Sequence, residues 1–148
     1  MKNQPFSYKE FKSIYSKVPR LAIELAVKTK DGVILTLRNK HGWENKWHIP
    51  GMTLLYKESV VDAIQRVAEE ELGVRVNPDK LLGYIEYTSE EKERGFGYTV
   101  SIVFLCSILS GELRPNEYAS DIKCFKNLPD NLIEEQRQLL ESVLSNKQ

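Results

Sequence analysis

Apolar positions recur along this chain with two periods, and the expected elements follow from them. Phe11, Ile14, Tyr15 and Val18 fall at i, i+3, i+4 and i+7, which predicts a short amphipathic helix over 6–18 ended by Pro19. The next segment, LAIELAVKTKDGVILTLRN, switches to a period of two. Leu21, Ile23, Leu25 and Val27 alternate, KDG supplies a turn, and Val33, Leu35 and Leu37 resume the pattern, so the segment is a β-hairpin. Gly, Asn and Pro mark NKHGWENKWHIPGM as a loop with a short extended piece at 47–49. Two further strands are expected over 82–87 and 98–108, separated by a charged run, SEEKERGFG, that reads as a flexible surface loop. A short strand over 121–125 follows, and Asp130, just after Pro129, is placed to cap a last helix reaching about Leu144. Strands that mostly neighbour strands, with helices at the start, middle and end, favour α+β or a mixed sheet with helices on its faces.

The middle helix carries the anomaly. Ser59, with Asp62 three residues on, is a capping-box variant, and Gly73 suits the left-handed position past a helix end. Val60, Val61, Ile64, Val67, Ala68 and Leu72 gather on one side, yet Glu71 projects between Val60 and Ile64, inside that stripe. Glu70 flanks the stripe near Ala63, Glu69 points away, and Arg66 lies one helical turn before Glu70. A carboxylate against an apolar layer is neutralised, paired or metal-bound, because leaving it charged and alone costs on the order of several kcal/mol. A solvated face with one residue at a ragged edge is the alternative. Hard cations such as Mg²⁺ take oxygen ligands and keep water and substrate phosphate in their shell, a chemistry that adjacent carboxylates and backbone carbonyls suit.

Composition narrows the partners. The 148 residues fit one domain, 1–148, and 41% apolar with 28% charged residues is the balance of a soluble globular protein. Lys plus Arg (21) equals Asp plus Glu (21), so no basic excess argues for nucleic acid. The N-terminal residues lack a signal-peptide apolar run, and no apolar run of about 18 residues offers a membrane span. Cys106 and Cys124 are isolated and read as two buried structural thiols, with a reducing cytoplasm as the default compartment.

Taken together, Glu58, Arg66, Ala68, Glu70, Glu71, Gly73 and Val74 stand at the spacing of the Nudix signature box, which the sequence resembles, and the preceding Trp47 and Pro50-Gly51 match the usual approach to it. The resemblance implies an α/β/α sandwich around a mixed β-sheet. It also implies Mg²⁺- or Mn²⁺-assisted hydrolysis of a nucleoside diphosphate linked to another moiety. By that resemblance the Gly51 carbonyl, Glu70 and Glu71 hold metal, Arg66 orients the carboxylates, and Glu58 ties loop to helix. The metal neutralises diphosphate charge and activates a water.

Two positions depart from the pattern: Met52 stands where the box has Gly, and Val67 where it has a Glu that in many members binds metal or acts as base. The departures resemble the GDP-mannose mannosyl hydrolase branch, which uses one metal and cleaves at the sugar carbon. In that branch a later loop brings a metal ligand and a His base. Here LRPNEYASD offers Glu117 as the third ligand or base, but Ala119 where the His is expected. A homodimer is expected from family habit alone.

The remaining candidates have structural alternatives of comparable weight. Arg38, at the end of the second hairpin strand, is placed to clamp a phosphate or to form a surface salt bridge. Glu86 faces either the cleft or solvent. His48 reads as packed or hydrogen-bonded rather than catalytic. Trp43, Tyr56 and Phe96 are available to stack on a base or sugar, or simply to pack. The expected activity is a Mg²⁺-dependent hydrolase of a nucleotide sugar, a small-molecule substrate. The rival is a Nudix-fold binding or regulatory module that has lost hydrolysis.

Overall fold

The computed structural model describes residues 5–145, so both ends of the expected 1–148 domain lie outside the described residues. In chain order it contains α1 (Tyr8–Tyr15), β1 (Arg20–Thr29), β2 (Gly32–Arg38), β3 (Trp47–His48), β4 (Gly51–Thr53) and α2 (Val60–Leu72). These are followed by β5 (Val74–Glu86), α3 (Glu90–Arg94), β6 (Thr99–Gly111), β7 (Ala119–Phe125), a 3₁₀ turn (Glu134–Gln136) and α4 (Arg137–Ser145).

The seven strands form one mixed sheet in the order β3-β2-β1-β6-β5, with β4 added to β1 and β7 to β2. β1 runs parallel to β6 from Arg20↔Thr99 to Val27↔Cys106, and it is buried continuously from Ala22 to Val27, as a strand with layers on both sides must be. Ile23, Leu25 and Val27 meet Ile64, Val67, Ala68 and Leu72 of α2 on one face. Ala26, Val33 and Leu35 meet Leu132, Leu140 and Val143 on the other, beside α4. The result is the α/β/α layering expected. β1 pairs with β2 only beside their turn (Lys28↔Val33, Thr29↔Gly32), and with β4 further back (Ala22↔Thr53 to Glu24↔Gly51). The two hairpin strands therefore diverge, and the gap between them places the site.

Several boundaries differ from expectation for identifiable reasons. In α2 the Ser59 cap and the left-handed Gly73 (φ 75°) are as expected. The buried stripe, however, takes in Ala63 and leaves Val61, in the first turn, 62% exposed. β5 begins at Val74 rather than 82, running through Asn77-Pro78. It is an edge strand, where a missing proline N–H is tolerated, and register shifts around Pro78 absorb the irregularity. The last helix starts at Arg137, not Asp130. Residues 131–133 instead extend along β3, with Trp47 N–H bonded to Asn131 O and Ile133 N–H to Trp47 O, both at 2.9 Å. Cys106 is buried, with burial pushing its thiol up to about 12, but Cys124 is exposed. No helix among the described residues is long and apolar enough to cross a membrane.

The charged run after β5 is the largest departure. It is not a loose loop: it folds into α3, and Glu90 is 1% exposed. Arg94, at the end of α3, ion-pairs with Glu90 (3.3 Å) and donates from Nε to His41 O (3.2 Å).

Candidate functional site

A cavity of about 370 Å³ opens where β1 and β2 part. β1 and β2 contribute Arg20 and Arg38, β4 contributes Gly51 to Thr53, and α2 contributes Glu71. α3 adds Arg94, α1 adds Tyr8 and Phe11, and loops add Lys40, His41, Glu117 and Tyr118.

Gly51 is the pivot. Leu25 N–H bonds Pro50 O and Leu54 N–H bonds Leu21 O, so in the β1–β4 ladder Glu24↔Gly51 is the intervening, non-bonded pair. The N–H and C=O of Gly51 consequently point away from β1, and the N–H meets the Glu71 carboxylate. Glu71 also accepts from Asn116 Nδ2 at 2.5 Å. Burial pushes the Glu71 acid up to about 7, even though the Asn116 amide, the Gly51 N–H and the Arg38 charge favour its ionised form. On the other side of Gly51 a Cβ would fall 2.5 Å from Glu24 Cγ, so only glycine lets that carboxylate lie here.

Glu24 is thus a second buried acid at the site, 8% exposed. It accepts from the Tyr87 hydroxyl (2.6 Å), which in turn accepts from Gln136 Nε2 (2.8 Å), while Gln136 Oε1 holds Ile49 N–H (2.8 Å). Glu24, Tyr87 and Gln136 line a chamber of about 50 Å³ that shares Arg20, Arg38, Gly51 and Arg94 with the main cavity. Burial raises the Glu24 acid from 4.5 to about 7, with the Tyr87 hydrogen bond pulling the other way. The folded protein therefore holds a proton that the unfolded chain releases near 4.5, and stability falls as pH rises from about 4.5 to about 7. Relative to Glu24→Gln, wild type is expected to lose up to roughly 3 kcal/mol across that window, read from urea denaturation at pH 5 and 8. Parallel pH profiles for the two proteins would refute it.

Arg66 binds the start of α2 to the preceding loop. Its Nε and Nη2 reach Glu58 Oε2 (2.7 Å) and Oε1 (3.0 Å), Nη2 also reaches Thr53 O (2.8 Å), and Nη1 lies 3.4 Å from Glu70 Oε2. Glu58 Oε1 accepts Leu55 N–H as well (3.1 Å). Arg38 does comparable work across the cavity: Nε donates to Gly42 O (2.9 Å) and Nη2 to His41 O (3.0 Å) and Lys40 O (3.3 Å). That loop holds His41, Trp43 and Asn45 at positive φ (63°, 50° and 64°), a cost that the Arg38 bonds offset. The result is an imidazole, His41, stacked on Tyr8 at 4.3 Å in the cavity rim.

The family model of the NUDIX domain matches residues 18–141. The chain belongs to the Nudix family. It is 29% identical over 120 residues to the low-salt glycan biosynthesis protein Agl8 of Haloferax volcanii, covering 79% of this chain and 77% of that one. It is 27% identical over 113 residues to an ADP-ribose pyrophosphatase of Methanocaldococcus jannaschii, covering 75% of this chain and 65% of that one. Among solved structures, a MutT NUDIX hydrolase from Burkholderia pseudomallei superposes with a TM-score of 0.76 at 27% identity, covering 86% of this chain and 99% of that one.

Within this Nudix fold the expected residues divide. Gly51, Glu71, Glu117 and Arg38 line one cavity, while Glu70, expected as a metal ligand, lines neither cavity and ion-pairs with Arg66 at 3.4 Å. Glu86 is exposed, takes the Tyr98 hydroxyl, and lines neither cavity, because it alternates with the buried Ile85 on β5 and Tyr87 just past its end. His48 is buried against Thr36 (3.0 Å), and burial holds its imidazole well below the usual range. Trp43 and Phe96 are buried, whereas Tyr56 is 90% exposed. Met52 packs in the core with an ordinary extended backbone, so glycine's freedom is not needed there, and Val67 is fully buried beneath it.

Arg20, Glu24, His41, Tyr87, Arg94 and Gln136 were not anticipated. Only Glu24 left a trace, as one carboxylate in the otherwise apolar run LAIELAV.

Among the described residues no three His, Cys, Asp or Glu side chains form a ready metal cage. The donor set fits a different kind of site. The Glu71 carboxylate and the outward peptide edge of Gly51 are hard oxygen donors facing one cavity, and Mg²⁺ commonly completes such a partial shell with water and phosphate.

Proposed function

We propose that this protein hydrolyses a nucleoside diphosphate joined to another moiety, in the first instance a nucleotide sugar of the GDP-mannose kind, with Mg²⁺ or Mn²⁺. The observation that carries the reading is the pairing of Glu71 and the Gly51 edge with Arg20, Arg38, Lys40 and Arg94 around one cavity: oxygen donors for a cation beside cations for a diphosphate. Two relatives support the sugar part, one named for glycan biosynthesis and the other for ADP-ribose, itself a nucleoside diphosphate sugar.

In this reading Glu71 and the Gly51 carbonyl hold the metal, with Glu70 and Glu117 completing the protein's share. The bound ion neutralises diphosphate charge and lowers the pKa of a water. Arg66 keeps Glu70 and the 53–58 loop in place, and Arg38 holds the loop that presents Lys40 and His41.

The test is incubation with Mg²⁺ and a panel of nucleotide sugars, nucleoside triphosphates and dinucleotides, followed by ³¹P NMR. Metal-dependent turnover of a nucleotide sugar is expected. Nucleoside diphosphate as product means attack at the sugar carbon, and nucleoside monophosphate means attack at phosphorus. Ligand binding with no turnover across the panel would overturn the reading in favour of a silent binding module, which Val67 in place of an acid already suggests.

A further inference from the structure

Arg20, Arg38 and Arg94 line both the main cavity, beside Glu71 and Glu117, and the inner chamber, beside Glu24. Arg38 directs its Nε and Nη2 to backbone carbonyls. Arg20 donates to Thr99 Oγ1 (3.0 Å) and Thr53 Oγ1 (2.8 Å), both neutral. Among the described residues, the carboxylate in ion-pair range of Arg20 and Arg94 is Glu90, whose Oε2 is shared, 3.3 Å from Arg94 and 4.0 Å from Arg20.

The sharing leaves a buried donor unused. The Arg94 side chain is 8% exposed, and its Nη1, though near Glu90 Oε2, makes no aligned hydrogen bond, while Glu90 Oε1 is likewise a buried acceptor without a donor. A buried guanidinium donor without an acceptor costs on the order of 1–3 kcal/mol. Burial, followed by the charges of Arg20 and Arg38, brings Arg94 down to about 10. Both Arg20 and Arg94 lie 5.5 Å from the centroid of the Phe11 ring, so the aromatic residue of α1 covers them without supplying an anion. Glu71 interacts with Arg38 and Glu70, whereas Arg94 interacts with Arg20, Arg38 and Glu90. The unpaired donor therefore belongs to the α1–α3 side of the cavity, whereas Glu71 enters it from α2.

We infer that Arg94 and Arg20 form an oxyanion subsite at the α1–α3 end of the cavity, taking a phosphoryl or carboxylate group of the substrate remote from the one at Glu71. The inference rests on the hydrolase reading only for the identity of its natural ligand. It makes the preferred substrate one whose negative charge reaches both ends of the cavity. Arg94 supplies the unused Nη1–H, and Arg20 adds the second charge.

A purely structural role, Arg94 neutralising Glu90, is the rival, and the double variant E90Q/R94Q separates the two because it removes both charges of the buried pair together. Metal-free titration with inorganic pyrophosphate by calorimetry is expected to show binding weakened roughly 10- to 100-fold in the double variant, with a nearly unchanged melting temperature. Arg20→Gln, which leaves the Glu90–Arg94 pair intact, is expected to weaken binding in the same way and decides the matter if the double variant does not fold. A parallel titration with malonate distinguishes the source: a loss shared by both ligands means a general oxyanion site, and a loss for pyrophosphate alone means a phosphoryl site. Unchanged pyrophosphate affinity in the variants overturns the subsite, even where nucleotide turnover is intact. Arg94-dependent binding in a protein that turns over no nucleotide supports the subsite and overturns the hydrolase reading instead.

Discussion

Glu71→Gln is expected to lower metal-dependent kcat/KM by roughly 100- to 1,000-fold while leaving the protein folded. The amide keeps one carbonyl oxygen able to accept from Asn116 or from the Gly51 N–H, so at least one of the local hydrogen bonds survives. What is lost is a charged oxygen donor at the one place where α2 meets the outward edge of Gly51. Because burial disfavours the ionised acid, with its pKa raised to about 7, the metal-free variant is expected to melt no lower than wild type at pH 8, where the wild-type acid is mostly ionised. Steady-state turnover with and without Mg²⁺, alongside thermal melts, checks both halves. Wild-type turnover in this variant would remove Glu71 from the metal site, and a large drop in melting temperature would show a structural role instead.

Arg66→Ala is expected to cost about 2–4 kcal/mol of stability, somewhat below the figure for breaking a fully buried pair, because the side chains of Arg66, Glu58 and Glu70 are 11%, 12% and 17% exposed. The substitution strands Glu58 Oε2, leaves Oε1 with Leu55 N–H alone, releases Thr53 O and frees Glu70. Arg66→Lys is expected to recover only part of this, since a single ammonium cannot reproduce the fork across Glu58 and Thr53. The Arg66 guanidinium and Glu58 each favour the other's charged form, which holds the Glu58 carboxyl below the usual range. The Glu58 part of the loss is accordingly present at neutral pH and shrinks as pH falls through that lowered pKa. Urea denaturation at pH 7 gives the difference directly. A loss under about 0.5 kcal/mol would mean that water replaces the guanidinium at little cost.

Part of this arrangement was written in local order. Ser59, Arg66, Glu70 and Gly73 belong to one helix, and helical geometry alone sets which of them face one another, so the cap, the Arg66–Glu70 pair and the intrusion of Glu71 into the apolar stripe are readable from spacing. The hairpin of β1 and β2 is equally local, carried by alternation and a turn.

The other half of the site was decided by tertiary structure. Arg20, Glu24, Arg38 and Arg94 come from the two hairpin strands and a helix after β5, and no pattern within any one of those segments reports that they converge. A polar residue on an alternating strand looks the same whether its face meets water or a closed chamber. β1 meets a chamber only because α4 and residues 131–133 cover that face, so Glu24 is buried with Tyr87 and Gln136. The charged run 89–97 shows the same limit from the other side. Its composition is that of a solvated loop, but Glu90 and Arg94 neutralise enough of each other to be buried, and the fold sets them against Arg20. Local sequence determined the hairpin and the carboxylate helix. The cationic wall, the His41 loop and the second acid behind Gly51 exist because packing brought distant polar groups into one low-dielectric space, where each one's charge depends on its neighbours.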